Sequence, residues 1–125
     1  MRDLMFRGKT KRDGRWVISD SIRQERGKVY LYDEVKDIDV EVIPETVGQY
    51  TGLTDKNGVN IFEGDICRNT KTGEIVSVKW HGTMAGYVWS RQKEGCKHLF
   101  DFGELFRCFD KYEIISNIYD NGDLL

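Results

Sequence analysis

The chain has 125 residues, of which 39% are hydrophobic and 32% charged, and its formal net charge is −2. This length suits one compact domain or two closely associated lobes and argues against two fully independent domains. No apolar run approaches the roughly 20 residues of a membrane span, and the start MRDLMFRGKTKR is too charged for a signal peptide. We therefore expect a soluble cytoplasmic protein without membrane contact.

The small net charge hides a segregation along the chain. Residues 1–28 contain nine Lys or Arg against four Asp or Glu, whereas residues 29–65 contain two against nine. The first segment therefore carries +5 and the second −7. Such an asymmetry favours either two segments that attract each other within the fold or surfaces that meet between copies of the chain.

The first predicted element is a β-hairpin. Residues 4–7 and 15–19 flank Asp13-Gly14, a dipeptide that tolerates the positive φ angles of a tight turn. Its expected apolar contributors are Phe6, Trp16 and Ile18.

The segment SDSIRQERGK then predicts one or two helical turns, because Ser19 or Asp20 is a possible N-cap and Gly27 a possible residue after the C-cap. The runs KVYLYDE and IDVEVI follow with the alternation of half-buried strands. Pro44, the single proline, ends this unit.

From residue 49 onward, short strands alternate with turns. Asn57-Gly58 is a strong turn signal, Gly64-Asp65 begins the run DICRN, and Gly73 marks a further turn before the strand EIVSVKW. A strand YVWSR follows, then a segment packed by phenylalanines that suits a helical turn or a loop, and finally the strand YEIISNIY.

These patterns predict a mainly β protein, with an α+β fold as the alternative. Residues 1–48 are expected to form an N-terminal β-hairpin and meander region. Residues 49–125 are expected to form a small SH3-like β-barrel with a short helical turn, because four or five short strands over such a length close well on themselves.

Three stretches together resemble the YopX-like family of small phage and prophage proteins: MRDLMFRGKTKRDGRWV, QYTGLTDKNGVNIFEGDI and YEIISNIYDNGDLL. The resemblance implies a phage or prophage origin, action in the bacterial host cytoplasm and a tendency to self-associate. It carries no catalytic residue over to this chain. One departure is Gly122, which stands where the family's ending commonly has a proline.

The carboxylates of residues 49–66 are the first candidate site. Asp55, Asn57 and Gly58 fail the spacing of a calcium loop, which needs glycine at its sixth position and glutamate at its twelfth. Glu63 and Asp65 are close enough for an acid and base pair, but the local sequence offers no cationic partner. We therefore interpret Asn57, Gly58, Gly64 and Asp65 as structural turn residues.

Metal binding and catalysis receive no support from the remaining residues. Cys96 and His98 are separated by one residue, and Cys67 and Cys108 have no near partner, so the paired spacing of a zinc site is missing. The odd, irregular cysteine count fits a reducing compartment. We expect no cofactor and no enzymatic activity.

Nucleic-acid binding is the alternative function. The hairpin carries cations and an aromatic residue that suit phosphate and base contacts. These are Arg7, Lys11, Arg12, Arg15 and Trp16. The acidic middle segment and a pI near 5.7 oppose this reading. The favoured prediction is a non-enzymatic protein-interaction or self-assembly module, with a homo-oligomer as one possible partner arrangement.

Overall fold

A computed structural model describes residues 4–81, 86–93, 96–101 and 111–124. The chain divides into two compact units, Met1–Tyr50 and Thr51–Leu125, and each has its own strands and core. Both units are built mainly of β-strands, which confirms the predicted fold class. No helix among the described residues is long and apolar enough to span a membrane.

The N-terminal unit consists of short antiparallel strands. β1 pairs with β2 on one side and with the beginning of β6 on the other, and β3, β4 and β5 form a three-stranded sheet in that order. A bridge from Thr10 to Val42 links the end of β1 to β5. The bounds are β1 Phe6–Lys9, β2 Trp16–Ser19, β3 Ile22–Glu25, β4 Lys28–Asp33, β5 Ile38–Val42, a 3-10 turn Pro44–Thr46 and β6 Gly48–Thr54.

The predicted β-hairpin is present, but its buried face differs from the expectation. Val17, Leu31 and Val42 form the core of this unit, whereas Ile18 is 56% exposed. The cause is Gly8, which lies opposite Val17 on the buried face. A Cβ atom at Gly8 would lie 3.2 Å from the Cβ of Val42, so the missing side chain makes room for the core.

The predicted helical turns after the hairpin are wrong. Residues 22–25 form β3, and Glu25 pairs with Lys28 across a two-residue loop. Arg26 and Gly27 have φ angles of 52° and 77°, the left-handed conformation of the hairpin turn that matches strand twist. Pairing with β4 therefore decides the structure of a segment that has no apolar face of its own.

The C-terminal unit contains a five-stranded antiparallel sheet with the order β11-β10-β9-β8-β12, curled like half of a barrel. In the chain, the later residues of β6 and the short strand β7 come before the strands of this sheet. No pairing between β11 and β12 occurs among the described residues, so an SH3-like closure stays a prediction. The bounds are β7 Asn60–Phe62, β8 Asp65–Asn69, β9 Ile75–His81, β10 Gly86–Lys93, β11 Cys96–Asp101, β12 Tyr112–Asn117, α1 Ile118–Asn121 and a 3-10 turn Gly122–Leu124.

The core of this unit is formed by residues of β7, β8, β9 and β12. Ile61, Cys67, Val76, Val78 and Tyr112 are buried together. Cys67 is fully buried in this core, where a free cysteine packs as a small apolar residue. Trp80, by contrast, is 51% exposed, although the alternation along β9 groups it with Val76 and Val78.

The predicted last strand ends earlier than expected, because its final residues begin α1. The side chain of Asn117 accepts hydrogen bonds from the backbone N–H groups of Tyr119 and Asp120, which is N-cap geometry. The phenylalanine-rich helical turn predicted between β11 and β12 lies outside the described residues.

Candidate interaction surface of the N-terminal unit

The five predicted contact residues of the hairpin fall into two groups. Arg7 and Trp16 lie on the outer face of the β1–β2 pair, where Lys9 is the direct partner of Trp16. The Arg7 guanidinium lies 5.0 Å from the centre of the Trp16 ring, and the Lys9 Nζ lies 5.7 Å from it. Two cations therefore contact one indole by cation–π interactions.

The second group, Lys11, Arg12 and Arg15, lies on the loop that joins β1 to β2. This loop is wider than a two-residue turn and is organised around Thr10. Its backbone N–H donates to Arg15 O at 2.8 Å, and its carbonyl accepts from Gly14 N at 2.9 Å. The Thr10 hydroxyl donates to Asp13 Oδ1 and accepts from Arg15 N at 3.1 Å. These bonds hold the basic residues in fixed positions around the loop.

A groove of about 350 Å³ lies beside this loop. Ile38 and Val40 of β5 supply its apolar surface. Its charged residues are four cations and two carboxylates, an excess of two positive charges. The lining residues are Thr10, Lys11, Arg12, Asp13, Arg15, Lys36, Ile38, Val40 and Glu41. A groove with this lining suits a ligand that combines a negative charge with an apolar group.

Ion pairs join the basic segment 1–28 to the acidic segment 29–65 within this unit. Lys11 Nζ lies 3.3 Å from Glu41 Oε2, Arg15 Nη2 lies 2.7 Å from Asp33 Oδ2, and Arg23 Nε lies 3.4 Å from Asp39 Oδ2. The charge segregation is thus compensated internally at three points. Two of the predicted contact residues, Lys11 and Arg15, are engaged in this way.

Asp33 is the most buried acid of this set, with 4% of its surface exposed. Its Oδ1 accepts backbone N–H groups from Val35 at 3.0 Å and Lys36 at 3.3 Å, while its Oδ2 accepts from Arg15. The hydrogen bond from Arg15 is the main cause of a lowered Asp33 pKa, and the same bond raises the pKa of Arg15. Asp33 therefore fixes both the β4–β5 turn and the position of Arg15.

Two cations of the groove differ from Lys11 and Arg15. Arg12 and Lys36 are exposed, and neither forms an ion pair with another residue in the part of the chain that the structure describes. The hydrogen bond from Thr10 is the main cause of a lowered Asp13 pKa, and the positive charge of Lys36 makes the smallest contribution to it. Arg12 and Lys36 are consequently the cations most available to a ligand.

Two carboxylates of residues 49–66, those of Asp55 and Asp65, accept hydrogen bonds from the backbone of the C-terminal unit. Asp55 is buried, and its Oδ1 accepts from Asn57 N at 2.8 Å and Val59 N at 2.9 Å. Its Oδ2 accepts from Ile114 N of β12 at 3.0 Å. Asp55 therefore ties the Asn57-Gly58 turn to a distant strand, a role that the sequence did not reveal because its partner is 59 positions away.

The second predicted turn has the expected chemistry. Gly64 has a φ of +91°, and its backbone donates to Val78 O and accepts from Ile118 N. Asp65 is buried, and its Oδ2 accepts from Phe62 N at 2.7 Å. A carboxylate that accepts a backbone N–H across a tight turn is a structural acceptor.

The described residues contain no cluster of side chains that could bind a metal ion. No group of three or more His, Cys, Asp or Glu side chains within them is placed to hold an ion. The side chains of Cys96, His98 and Cys108 lie outside the described part of the structure.

The chain is a small, mainly β protein built of short antiparallel strands. Several of its carboxylates accept hydrogen bonds from backbone amides, and a groove with an excess of cations lies beside the β1–β2 loop. The family model described as YopX protein matches residues 5–125, and the chain belongs to the YopX family. The crystal structure of protein EF1440 from Enterococcus faecalis is similar to it, with 22% sequence identity and a TM-score of 0.45. That alignment covers 98% of this chain and 97% of the other. Among curated proteins, none matches this chain.

Proposed function

We propose that this chain is a non-enzymatic protein-interaction module of phage or prophage origin that acts in the bacterial host cytoplasm. In this proposal, the groove beside the β1–β2 loop binds an acidic and apolar segment of a partner protein. The single observation that carries the proposal is that apolar residues and an excess of cations line one groove of about 350 Å³. The phage origin rests on the family resemblance.

Arg12 and Lys36 are the residues that would recognise the partner's carboxylates. Both are exposed, whereas Lys11 and Arg15 already face Glu41 and Asp33. Ile38 is half exposed, so an apolar side chain of the partner that covers it would remove apolar surface from water. Charge would supply orientation and speed of association, and apolar contact would supply affinity.

A non-enzymatic role is supported by the way the buried acids are used. Asp33, Asp55 and Asp65 accept hydrogen bonds from backbone N–H groups. A general base must instead present its oxygen to a substrate proton. Acids that hold turns in place are therefore poor candidates for catalysis.

The groove can be tested with fluorescein-labelled peptides and fluorescence anisotropy. One peptide alternates Asp with Leu, and a second alternates Lys with Leu. We expect the full-length protein to bind the acidic peptide and not the basic one. The double variant Arg12→Ala with Lys36→Ala should weaken binding by about three- to tenfold, the loss expected for two partly exposed ion pairs.

A matched control removes two exposed lysines of the C-terminal unit, Lys56→Ala with Lys71→Ala. It changes the net charge by the same amount but leaves the groove intact, so the affinity should stay unchanged. Equal loss in both double variants would show that binding follows net charge alone and would refute a groove site. Equal binding of the two peptides would refute charge recognition.

Nucleic-acid binding is the second candidate, favoured by the two cations that contact Trp16 on the outer hairpin face. Bases stack on exposed aromatic rings, and cations neutralise the phosphates. Anisotropy of a labelled 20-mer of thymidylate should then show a logarithmic affinity that falls linearly with logarithmic salt. The double variant Arg7→Ala with Lys9→Ala should reduce that slope by about 0.7 for each cation that contacts phosphate. Absence of binding at low salt would eliminate this function.

A further inference from the structure

β3 is an edge strand of the three-stranded sheet β3-β4-β5. All four of its residues, Ile22 to Glu25, are exposed, and among the described strands β4 is its single neighbour. Exposed edges pair readily with further strands, because their outer N–H and C=O groups have no intramolecular partner. The strand is therefore a candidate interface.

The direction of each backbone group along β3 follows from the hairpin turn. Glu25 and Lys28 flank the two-residue loop, and the pair that flanks such a loop is hydrogen-bonded. Ser21 O likewise accepts from Tyr32 N at 3.2 Å. Because the direction alternates, the odd-numbered residues point their N–H and C=O groups towards β4. The backbone groups of Ile22 and Gln24 point outward.

This parity limits the ways in which two copies of β3 can pair around a twofold axis. Backbone N–H and C=O groups that point outward must meet outward groups of the second copy, so even-numbered residues pair with even-numbered residues. The twofold axis therefore passes through a residue, which lies opposite the same residue of the second copy. An axis at Arg23 places two arginines opposite each other, and an axis at Glu25 places two glutamates together. Both arrangements are repulsive. An axis at Ile22 places the later residues of β3 opposite residues that precede β3 in the second copy, so about half of the strand–strand pairing is lost.

An axis at Gln24 removes these conflicts. Gln24 then exchanges two backbone hydrogen bonds with Gln24 of the second copy. Arg23 lies opposite Glu25 of the second copy, and the symmetry creates the same pair twice. These pairs occupy the positions without backbone hydrogen bonds, where opposite side chains approach most closely.

We propose that this chain self-associates through β3, which pairs antiparallel with β3 of a second copy in the register centred on Gln24. Arg23 is held ready for this contact. Its guanidinium lies 4.2 Å from the centre of the Tyr30 ring, and it contacts Asp39 and Glu25 of its own chain. Its long side chain therefore loses less conformational freedom when Glu25 of the second copy arrives.

This proposal develops the self-assembly role that the sequence analysis offers beside protein interaction, and it does not depend on the proposed groove. A four-residue edge is a small interface, so the dimer is weak and forms at high protein concentration. Sedimentation velocity of the full chain at concentrations up to about 1 mM therefore suits the measurement, because a millimolar Kd corresponds to weak association.

The sharpest variant is Gln24→Pro, compared with Gln24→Ala. Proline removes the outward N–H at position 24 and leaves the N–H groups that bond β4 in place, and edge strands tolerate proline on their free side. We expect Gln24→Pro to stay monomeric at every concentration and Gln24→Ala to dimerise like the wild type. Circular dichroism of both variants checks that the fold is kept.

Charge exchange tests the register. Arg23→Glu alone and Glu25→Arg alone should each weaken the dimer by about tenfold, since two attractive pairs become repulsive. The double exchange of Arg23→Glu with Glu25→Arg should restore it. A monomeric wild type, a dimer that survives Gln24→Pro, or a double exchange that fails to restore association would each overturn the proposal. Peptide binding by monomeric Gln24→Pro reports on the groove separately.

Discussion

Removing the Asp55 carboxylate should destabilise the C-terminal unit more than any change at an exposed acid. Asp55 is 5% exposed and accepts three backbone hydrogen bonds, two within the Asn57-Gly58 turn and one from Ile114. A buried N–H group that loses its acceptor costs about 1–3 kcal/mol. Asn57 and Val59 are exposed and can turn to water, whereas Ile114 is half-buried. We therefore expect Asp55→Ala to reduce the free energy of unfolding by about 2–4 kcal/mol.

Asp55→Asn keeps one oxygen of this side chain and replaces the other by an NH₂ group, so it tests the loss of a single acceptor. One amide oxygen still accepts, but the NH₂ group now faces a backbone donor, so the loss should be about 1–2 kcal/mol. Asp20→Ala is the matched control. Asp20 is exposed, and its removal should change stability by less than about 0.5 kcal/mol.

Urea denaturation followed by circular dichroism measures these differences, and amide hydrogen exchange localises them. Exchange at Ile114 N should accelerate in Asp55→Ala and not in Asp20→Ala. If Asp55→Ala and Asp20→Ala were equally stable, the three hydrogen bonds would contribute nothing measurable, and the structural role assigned to Asp55 would be refuted. A variant Asp55→Asn less stable than Asp55→Ala would contradict the acceptor argument.

Two further predictions concern a turn and an ion pair. Gly64→Ala should cost about 2 kcal/mol or more and Gly58→Ala about 1 kcal/mol, because both glycines have positive φ but a Cβ at Gly64 would also lie 3.0 Å from Tyr119 Cε2. Urea denaturation measures the free energy of unfolding of both variants. Equal losses would show that the contact with Tyr119 does not add to the cost of a side chain at position 64. The lowered pKa of Asp33 predicts that its contribution to stability is fully present above about pH 4 and disappears as the pH falls through the lowered value. In Arg15→Ala, the free energy of unfolding should fall less steeply as the pH is lowered below about 4 than it does in the wild type. An unchanged pH dependence would contradict the pairing of Arg15 with Asp33.

Local chemistry made the turns of the C-terminal unit predictable. Gly58, Gly64 and Gly73 all have positive φ angles, which the sequence indicates through residues that tolerate this conformation. Apolar residues close to those turns, such as Ile61 and Ile66, are buried. These features depend on neighbours only a few positions away, and a sequence displays such neighbours directly.

Features that depend on distant partners were not predictable. The strand IRQE was missed for another reason, since its partner β4 follows directly after a two-residue loop. A glycine with positive φ at position 27 suits both the helix end that we predicted and the hairpin turn that is present. The bond from Ile114 to Asp55 and the pairing of Arg15 with Asp33 join residues far apart in the chain. The groove arises in the same way, because the β1–β2 loop meets β5 only after folding.

The close approach at Gly8 has an evolutionary consequence. A Cβ atom at position 8 would lie 3.2 Å from Val42 and 3.4 Å from Leu31, so side chains at positions 8 and 42 compete for the same space. A larger residue at position 8 is accommodated with least displacement of the core when position 42 carries a smaller one. Members of the family with alanine at position 8 should therefore carry alanine or glycine at position 42, and this covariation would record the contact in aligned sequences.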